Sequence, residues 1–130
     1  MKKEEGQVLV MLLIFITIAV SVTIAAVAVM VSNTSSASKV EIGEVTSQAA
    51  ESGAETVLLK LLRDPNYPSP SLSDSFNLDN ASVTVTVGTS GSTKTILSTA
   101  IMGSLVRKIQ VILNYPEGGS MSVTSWKEVF

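Results

Sequence analysis

The chain has 130 residues, 45% of them hydrophobic, and a formal net charge of −2. That balance leaves no basic patch to neutralise phosphates, so no nucleic-acid partner is expected. Cys and His are both absent. Disulfides, thiolate chemistry, the commonest general base and a usual zinc ligand go with them, which weighs against an enzyme and against any cofactor.

The first residues, Lys2-Lys3-Glu4-Glu5-Gly6, form a short charged leader. Next comes Val8–Val31, 24 consecutive uncharged residues of which 15 are Leu, Ile, Val or Phe. A hydrocarbon core about 30 Å thick takes roughly 20 apolar residues in a helix. At about −0.3 to −0.6 kcal/mol per large apolar residue, insertion gains at most about 5–9 kcal/mol. A chain this short has too little other apolar mass to wrap such a helix on all sides. Membrane lipid is therefore the expected surrounding, with Val8, Leu9, Leu12, Leu13, Phe15, Ile16, Val20, Ile24, Val27 and Val31 carrying the contact. Lys2 and Lys3 keep the N-terminus inside and put the remainder outside. The run is too long for the h-region of a cleaved secretory signal, about 7–15 residues.

The helical pattern resumes after Asn33-Thr34-Ser35-Ser36 and meets no proline from Ser38 to Arg63. Glu41, Glu44, Gln48, Glu51 and Glu55 recur at spacings of three and four, one face of a helix. Ala50, Ala54, Val57, Leu58 and Leu61 fall on another face, so the helix is amphipathic. The acidic face reads either as solvated or as a packing face for basic residues of a neighbouring subunit. Gly43 and Gly53 weaken the helix but allow close helix–helix approach. A continuous helix from Val8 to Arg63 has about 56 residues and a length of about 84 Å. Its expected weak point is Ser32–Ser38, where short polar side chains compete for backbone hydrogen bonds and a bend or melted turn is anticipated. Asp64-Pro65-Asn66-Tyr67-Pro68-Ser69-Pro70 stops it.

The period then changes to two. Val83, Val85 and Val87 alternate with Ser82, Thr84 and Thr86, a strand with one buried face. Gly88–Ser92 is the expected hairpin loop, Lys94–Ile101 a second strand, and Met102-Gly103-Ser104 a turn. Leu105, Ile109, Val111, Leu113 and Tyr115 share one face of a third strand. Pro116-Glu117-Gly118-Gly119 turns the chain into a last strand, Met121–Val129, carrying Trp126. Asp74 and Asp79 read as turn residues or caps. Short connections imply an antiparallel meander whose apolar face is covered by the Ala50/Leu61 stripe.

The expected fold is thus α+β: a long N-terminal helix, half transmembrane and half amphipathic, packed on a four-stranded antiparallel meander. The expected divisions are a leader over 1–6, the helix over 7–64 with its membrane segment at 8–31, a proline-rich connecting loop over 65–80, and a sheet domain over 81–130.

This order of parts resembles a type IV pilin or pseudopilin. Lys2-Lys3-Glu4-Glu5-Gly6 looks like a prepilin peptidase substrate cut after Gly6, which makes Gln7 the new terminus and the place where the family carries its methylation. Gln48-Ala49-Ala50-Glu51-Ser52-Gly53-Ala54-Glu55 is similar to the QAAES-type segment of PilX-like minor pilins. The resemblance covers Met1 to about Tyr67. Most major pilins have Phe or Met after the cut, and Glu at the fifth mature position. Here those places hold Gln7 and Met11, and lacking the Glu is a trait of some tip-located minor subunits.

The resemblance implies a non-enzymatic structural subunit, major or minor. It would sit in the cytoplasmic (inner) membrane before moving into an extracellular filament. The implied partners are lipid, other pilin subunits, prepilin peptidase and the pilus assembly machinery. A rival reading is an unprocessed, single-pass, membrane-anchored binding or adhesion module, with Trp126 or Tyr67 in contact with glycan or a surface.

Overall fold

A computed structural model describes residues 2–67, 73–116 and 119–130, with side chains described from Gly6 onward. The chain divides into two units, Met1–Lys39 and Val40–Phe130. The element order is α1 (Lys2–Arg63), β1 (Ser73–Leu78), β2 (Ala81–Ser90), β3 (Thr93–Met102), β4 (Leu105–Asn114) and β5 (Ser122–Val129).

In the first unit α1 starts at Lys2 and so takes in the leader residues before Gln7. Ser32–Ser38 are helical, against the expectation of a melted turn. The Thr34 hydroxyl donates to the Met30 carbonyl at 2.9 Å, so this side chain supplements the helical ladder instead of displacing it.

In the second unit α1 ends at Arg63. Pro65 disfavours helix at Asp64. Asp64 then caps the exit: its carboxylate accepts from the Asn66 N–H at 2.9 Å and its carbonyl from the Tyr67 N–H at 3.1 Å. Lys60 and Arg63 lie in the last turn, where cations suit the negative end of the helix dipole.

The sheet has five strands, not the four expected, in the order β1-β2-β3-β4-β5, every neighbouring pair antiparallel. The extra strand is β1, within the segment expected to be loop. Its sequence, Ser-Asp-Ser-Phe-Asn-Leu, is poor in β-formers and holds two large apolar residues. Pairing along β2, from Ser73↔Thr86 to Leu78↔Ala81, makes it a strand. Tertiary context overrides the weak local preference. Residues 68–72 of the proline-rich segment lie outside the described residues, as do Glu117 and Gly118 of the expected turn; across the latter pair, the Gly119 N–H donates to the Pro116 carbonyl at 3.0 Å.

The hairpin after β2 is tighter than the five-residue loop expected: β2 runs to Ser90, and Gly91-Ser92 make the turn with Gly91 at φ 59. Gly103 takes the same left-handed conformation between β3 and β4, and Asp79 (φ 50) does so between β1 and β2.

Alternation assigns the faces. Ala81, Val83, Val85 and Val87 of β2, Ile96, Ser98 and Ala100 of β3, and Ile109, Val111 and Leu113 of β4 are buried. From the helix, Ala49, Ala50, Ala54, Val57 and Leu61 complete the core, with Leu58, Tyr67, Phe76, Met102 and Met121 packed around it. The residues contributed by the helix are mostly small, so its backbone comes close to the sheet. Of the apolar residues expected in β3, Ile96 faces this core, whereas Ile101 is on the opposite, open face and 46% exposed.

Candidate functional site

The first unit offers an apolar surface and nothing to bury it. Val8, Leu9, Leu12, Leu13, Phe15, Ile16, Val20, Ile24, Val27 and Val31 are between 52% and 71% exposed. The helix holds an 18-residue stretch of mean hydropathy 2.9, none of it buried, and is long and apolar enough to cross a membrane. Leu9, Leu13, Ile16, Val20, Ile24, Val27 and Val31 follow a three-and-four spacing that puts them on one side of the helix, with Val8, Leu12 and Phe15 on an adjoining side.

The three polar residues in this run are internally satisfied. Thr17 Oγ1 donates to the Ile14 carbonyl at 2.8 Å, Ser21 Oγ to Thr17 at 2.7 Å, and Thr23 Oγ1 to Ala19 at 2.8 Å. A hydroxyl bonded to its own helix does not carry the several-kcal/mol cost of an unpaired donor in hydrocarbon. Gly6 and Gln7, the expected processing positions, are helical and exposed at the start of this segment.

In the second unit Glu41, Glu44, Glu51 and Glu55 are all exposed, on the side of α1 away from the sheet. Gln48 donates weakly to Glu44 Oε1 at 3.4 Å. Among the described residues the ion pairs are Lys60–Asp74 at 2.7 Å and Arg107–Glu128 at 3.1 Å, and neither engages the acidic face. Four carboxylates therefore face solvent together, available to a cationic surface.

Asp74 is not a turn residue or cap. It lies within β1 and binds the last turn of α1. Lys60 Nζ donates to Asp74 Oδ2 and, at 2.9 Å, to the Tyr67 hydroxyl, which itself donates to Asp74 Oδ2. The ammonium also stands 4.9 Å from the centre of the Tyr67 ring. The hydrogen bonds from Lys60 and Tyr67 hold the Asp74 carboxyl below its ordinary range, and the bond to Asp74 raises Lys60. Seven residues separate Lys60 from Tyr67 and seven more reach Asp74 across the proline-rich segment, so no local periodicity announced the cluster. Asp79 does act as a turn residue. Tyr67, a candidate glycan contact, is committed to this internal cluster.

Trp126 pairs with Val111 and so shares the core-side face of the sheet, but on the edge strand it remains 41% exposed. Among the described residues no group of three Asp, Glu, His or Cys side chains is placed to hold a metal ion. No family model, curated protein or solved structure matches this chain.

Proposed function

We propose that this protein is a structural subunit, major or minor, of a type IV pilus-like extracellular filament, held in the cytoplasmic membrane by Val8–Val31 before assembly. The observation that carries the reading is an apolar helical segment with no burial of its own, followed in the same helix by a stripe packed on an antiparallel meander. Lipid satisfies that segment in the monomer. In the filament, equivalent helices take the place of lipid, and van der Waals packing replaces lipid contact with little change in apolar exposure to water. Such an exchange suits reversible assembly driven by an ATPase partner. The exposed Glu41, Glu44, Glu51 and Glu55 then face cationic side chains of a neighbouring subunit, and prepilin peptidase cuts between Gly6 and Gln7.

The test is co-expression with prepilin peptidase, followed by N-terminal sequencing and electron cryo-microscopy of sheared surface filaments. A mature chain beginning at Gln7 and present in the filament is the expected result. A chain that still begins at Met1 and stays wholly in the membrane fraction overturns it. That outcome would favour the second reading, an unprocessed anchored binding module, for which the half-open Trp126 is the supporting observation.

A further inference from the structure

The sheet of the second unit has one face covered by α1 and one open. Register puts Leu97 and Ile101 of β3, Val106, Lys108 and Ile112 of β4, and Lys127 of β5 on the open face. Ser and Thr fill most of its β1–β2 side. Ile101 and Val106 are 46% and 49% exposed. Lys108 is paired with Val129 and Gln110 with Lys127, so the two lysines are diagonal neighbours in the register, about 7–8 Å apart. Like charges at that spacing repel. Among the described residues neither lysine makes an ion pair, and the open face carries no carboxylate to separate them.

The opposite side of the same unit has the opposite charge. Glu41, Glu44, Glu51 and Glu55 share the outer face of α1, and the same three-and-four spacing continues into Leu59 (63% exposed) and Leu62 (54%). From Glu41 to Leu62 this stripe is about 32 Å long, close to the roughly 33 Å of a ten-residue strand such as β4. The other charged groups described in the unit are engaged or lie at element ends. Lys60 pairs with Asp74, Arg107 with Glu128, Lys94 donates to the Pro65 carbonyl and Asp64 caps α1, while Arg63 and Asp79 sit at a helix end and a turn. The remaining unpaired charges are sorted by sign onto the two outer surfaces of one helix-on-sheet sandwich.

We propose that the open sheet face of one copy docks on the outer α1 face of the next, with Lys108 and Lys127 set among the glutamates and Leu59 and Leu62 against the aliphatic residues of the sheet. The proposal rests on the filament reading for the identity of the neighbour, a second copy, and it names the cations that reading leaves unassigned. Charge and length select this occupant. A second copy supplies four carboxylates in a row that matches a strand, whereas two lysines are too few to hold a polyanion such as nucleic acid. The two surfaces differ and point in opposite directions, so the contact is heterologous. Each copy keeps one face free for a further copy, and the series stays open unless the rotation closes a ring. Charge pairs of this kind set register and partner choice more than raw affinity.

The chain has no Cys, which makes a single introduced thiol a unique cross-linking site. Full-length Gln48→Cys and Gln110→Cys proteins, carrying tags of different size, are reconstituted together in phosphatidylcholine vesicles and treated with a short bismaleimide. The expected result is a cross-link between the two proteins, with little of either homodimer. Lys108→Glu with Lys127→Glu in the Gln110→Cys copy should lower that yield at least roughly threefold, and Glu51→Lys with Glu55→Lys in the Gln48→Cys copy should restore it. Gln110→Cys homodimers in place of the mixed product overturn the proposal in favour of a symmetric sheet-to-sheet contact. A mixed product indifferent to the reversed charges overturns it as random collision. The assay requires neither cleavage nor a filament, so the two readings fail separately. Filaments of chains beginning at Gln7 in which this cross-link does not form overturn the docking alone. A charge-dependent cross-link in a chain that keeps Met1 and forms no filament upholds the docking and overturns the filament reading.

Discussion

Gly53 of α1 lies directly over Ser98 of β3: a Cβ on Gly53 would come 2.5 Å from Ser98 Oγ and 2.6 Å from Val83 Cγ1. These distances are far inside van der Waals contact, so the helix rests on the sheet by its backbone at this point. Ser98 Oγ can rotate, but Val83 is β-branched and fully buried, with no room to turn. Gly53→Ala gains about 1 kcal/mol of helix propensity and costs about 1–3 kcal/mol of overpacking, a net loss of roughly 1 kcal/mol. Urea unfolding in detergent, followed by Trp126 fluorescence, measures it. Gly43→Ala is the control: its nearest neighbour would be the Arg107 guanidinium at 3.6 Å, an ordinary contact, so it stabilises by up to about 1 kcal/mol.

Ser98 Oγ is completely buried and has no hydrogen-bond partner among the described residues. An unpaired buried hydroxyl carries a desolvation cost of about 1–3 kcal/mol. Ser98→Ala removes it and also relieves the approach to Gly53. The expected outcome is a higher urea midpoint by about 1 kcal/mol, and a smaller penalty for Gly53→Ala in the double variant than in the single. Equal penalties in both backgrounds would show that Val83 alone sets the clash.

The acidic face, the apolar stripe and the alternation of β2 were all legible because helical and strand periods leave a mark on residues that are either charged or large and apolar. Ser98 leaves no such mark, and Gly53 was legible only as a small residue that permits close approach of another helix, whereas its neighbour is the sheet. Their meaning lies in the distance between two elements, which one chain's spacing does not encode. β1 was missed for a related reason: Ser73–Leu78 become a strand through Val83, Val85 and their neighbours on β2, not through their own preferences. At Ser32–Ser38 short polar side chains are able to compete with the backbone, but the Thr34 hydroxyl donates to the carbonyl four residues back and the helix persists. For the expected processing pair, Gly6 and Gln7, the structure adds exposure and helical backbone, while the chemistry expected there still comes from the leader residues.

The Lys60–Tyr67–Asp74 cluster joins the end of α1 to the weakest strand, so its titration is expected to appear in β1. The Asp74 carboxyl is lowered in the fold. Its contribution is therefore complete above about pH 4, the unfolded range, and is lost as pH falls through the lowered native value. Lys60 is raised, so its contribution is complete below about pH 10 and is lost as pH rises through the raised value. With the Lys60 side chain 43% exposed, the pair contributes only about 0.2–1 kcal/mol. Asp74→Asn should lower amide protection in β1 near neutral pH by that amount and flatten its decline in acid. Unchanged acid dependence in Asp74→Asn would assign the decline to other carboxylates.

The membrane segment allows a quantitative test. Insertion gains at most about 5–9 kcal/mol from its large apolar residues, and each central Arg costs about 2.5–3.5 kcal/mol. Val20→Arg alone leaves a favourable balance, and the variant should stay in the pellet after alkaline carbonate extraction. Leu13→Arg with Val20→Arg costs about 5–7 kcal/mol and also removes two favourable residues, so the double variant should move largely to the supernatant or fail to insert. Thr17→Val is the opposite control. Its hydroxyl is already bonded to the Ile14 carbonyl, so no unpaired donor is removed and extraction should match the parent protein. A double-Arg variant that pellets like the parent would mean that something other than the apolar run holds the chain to the membrane.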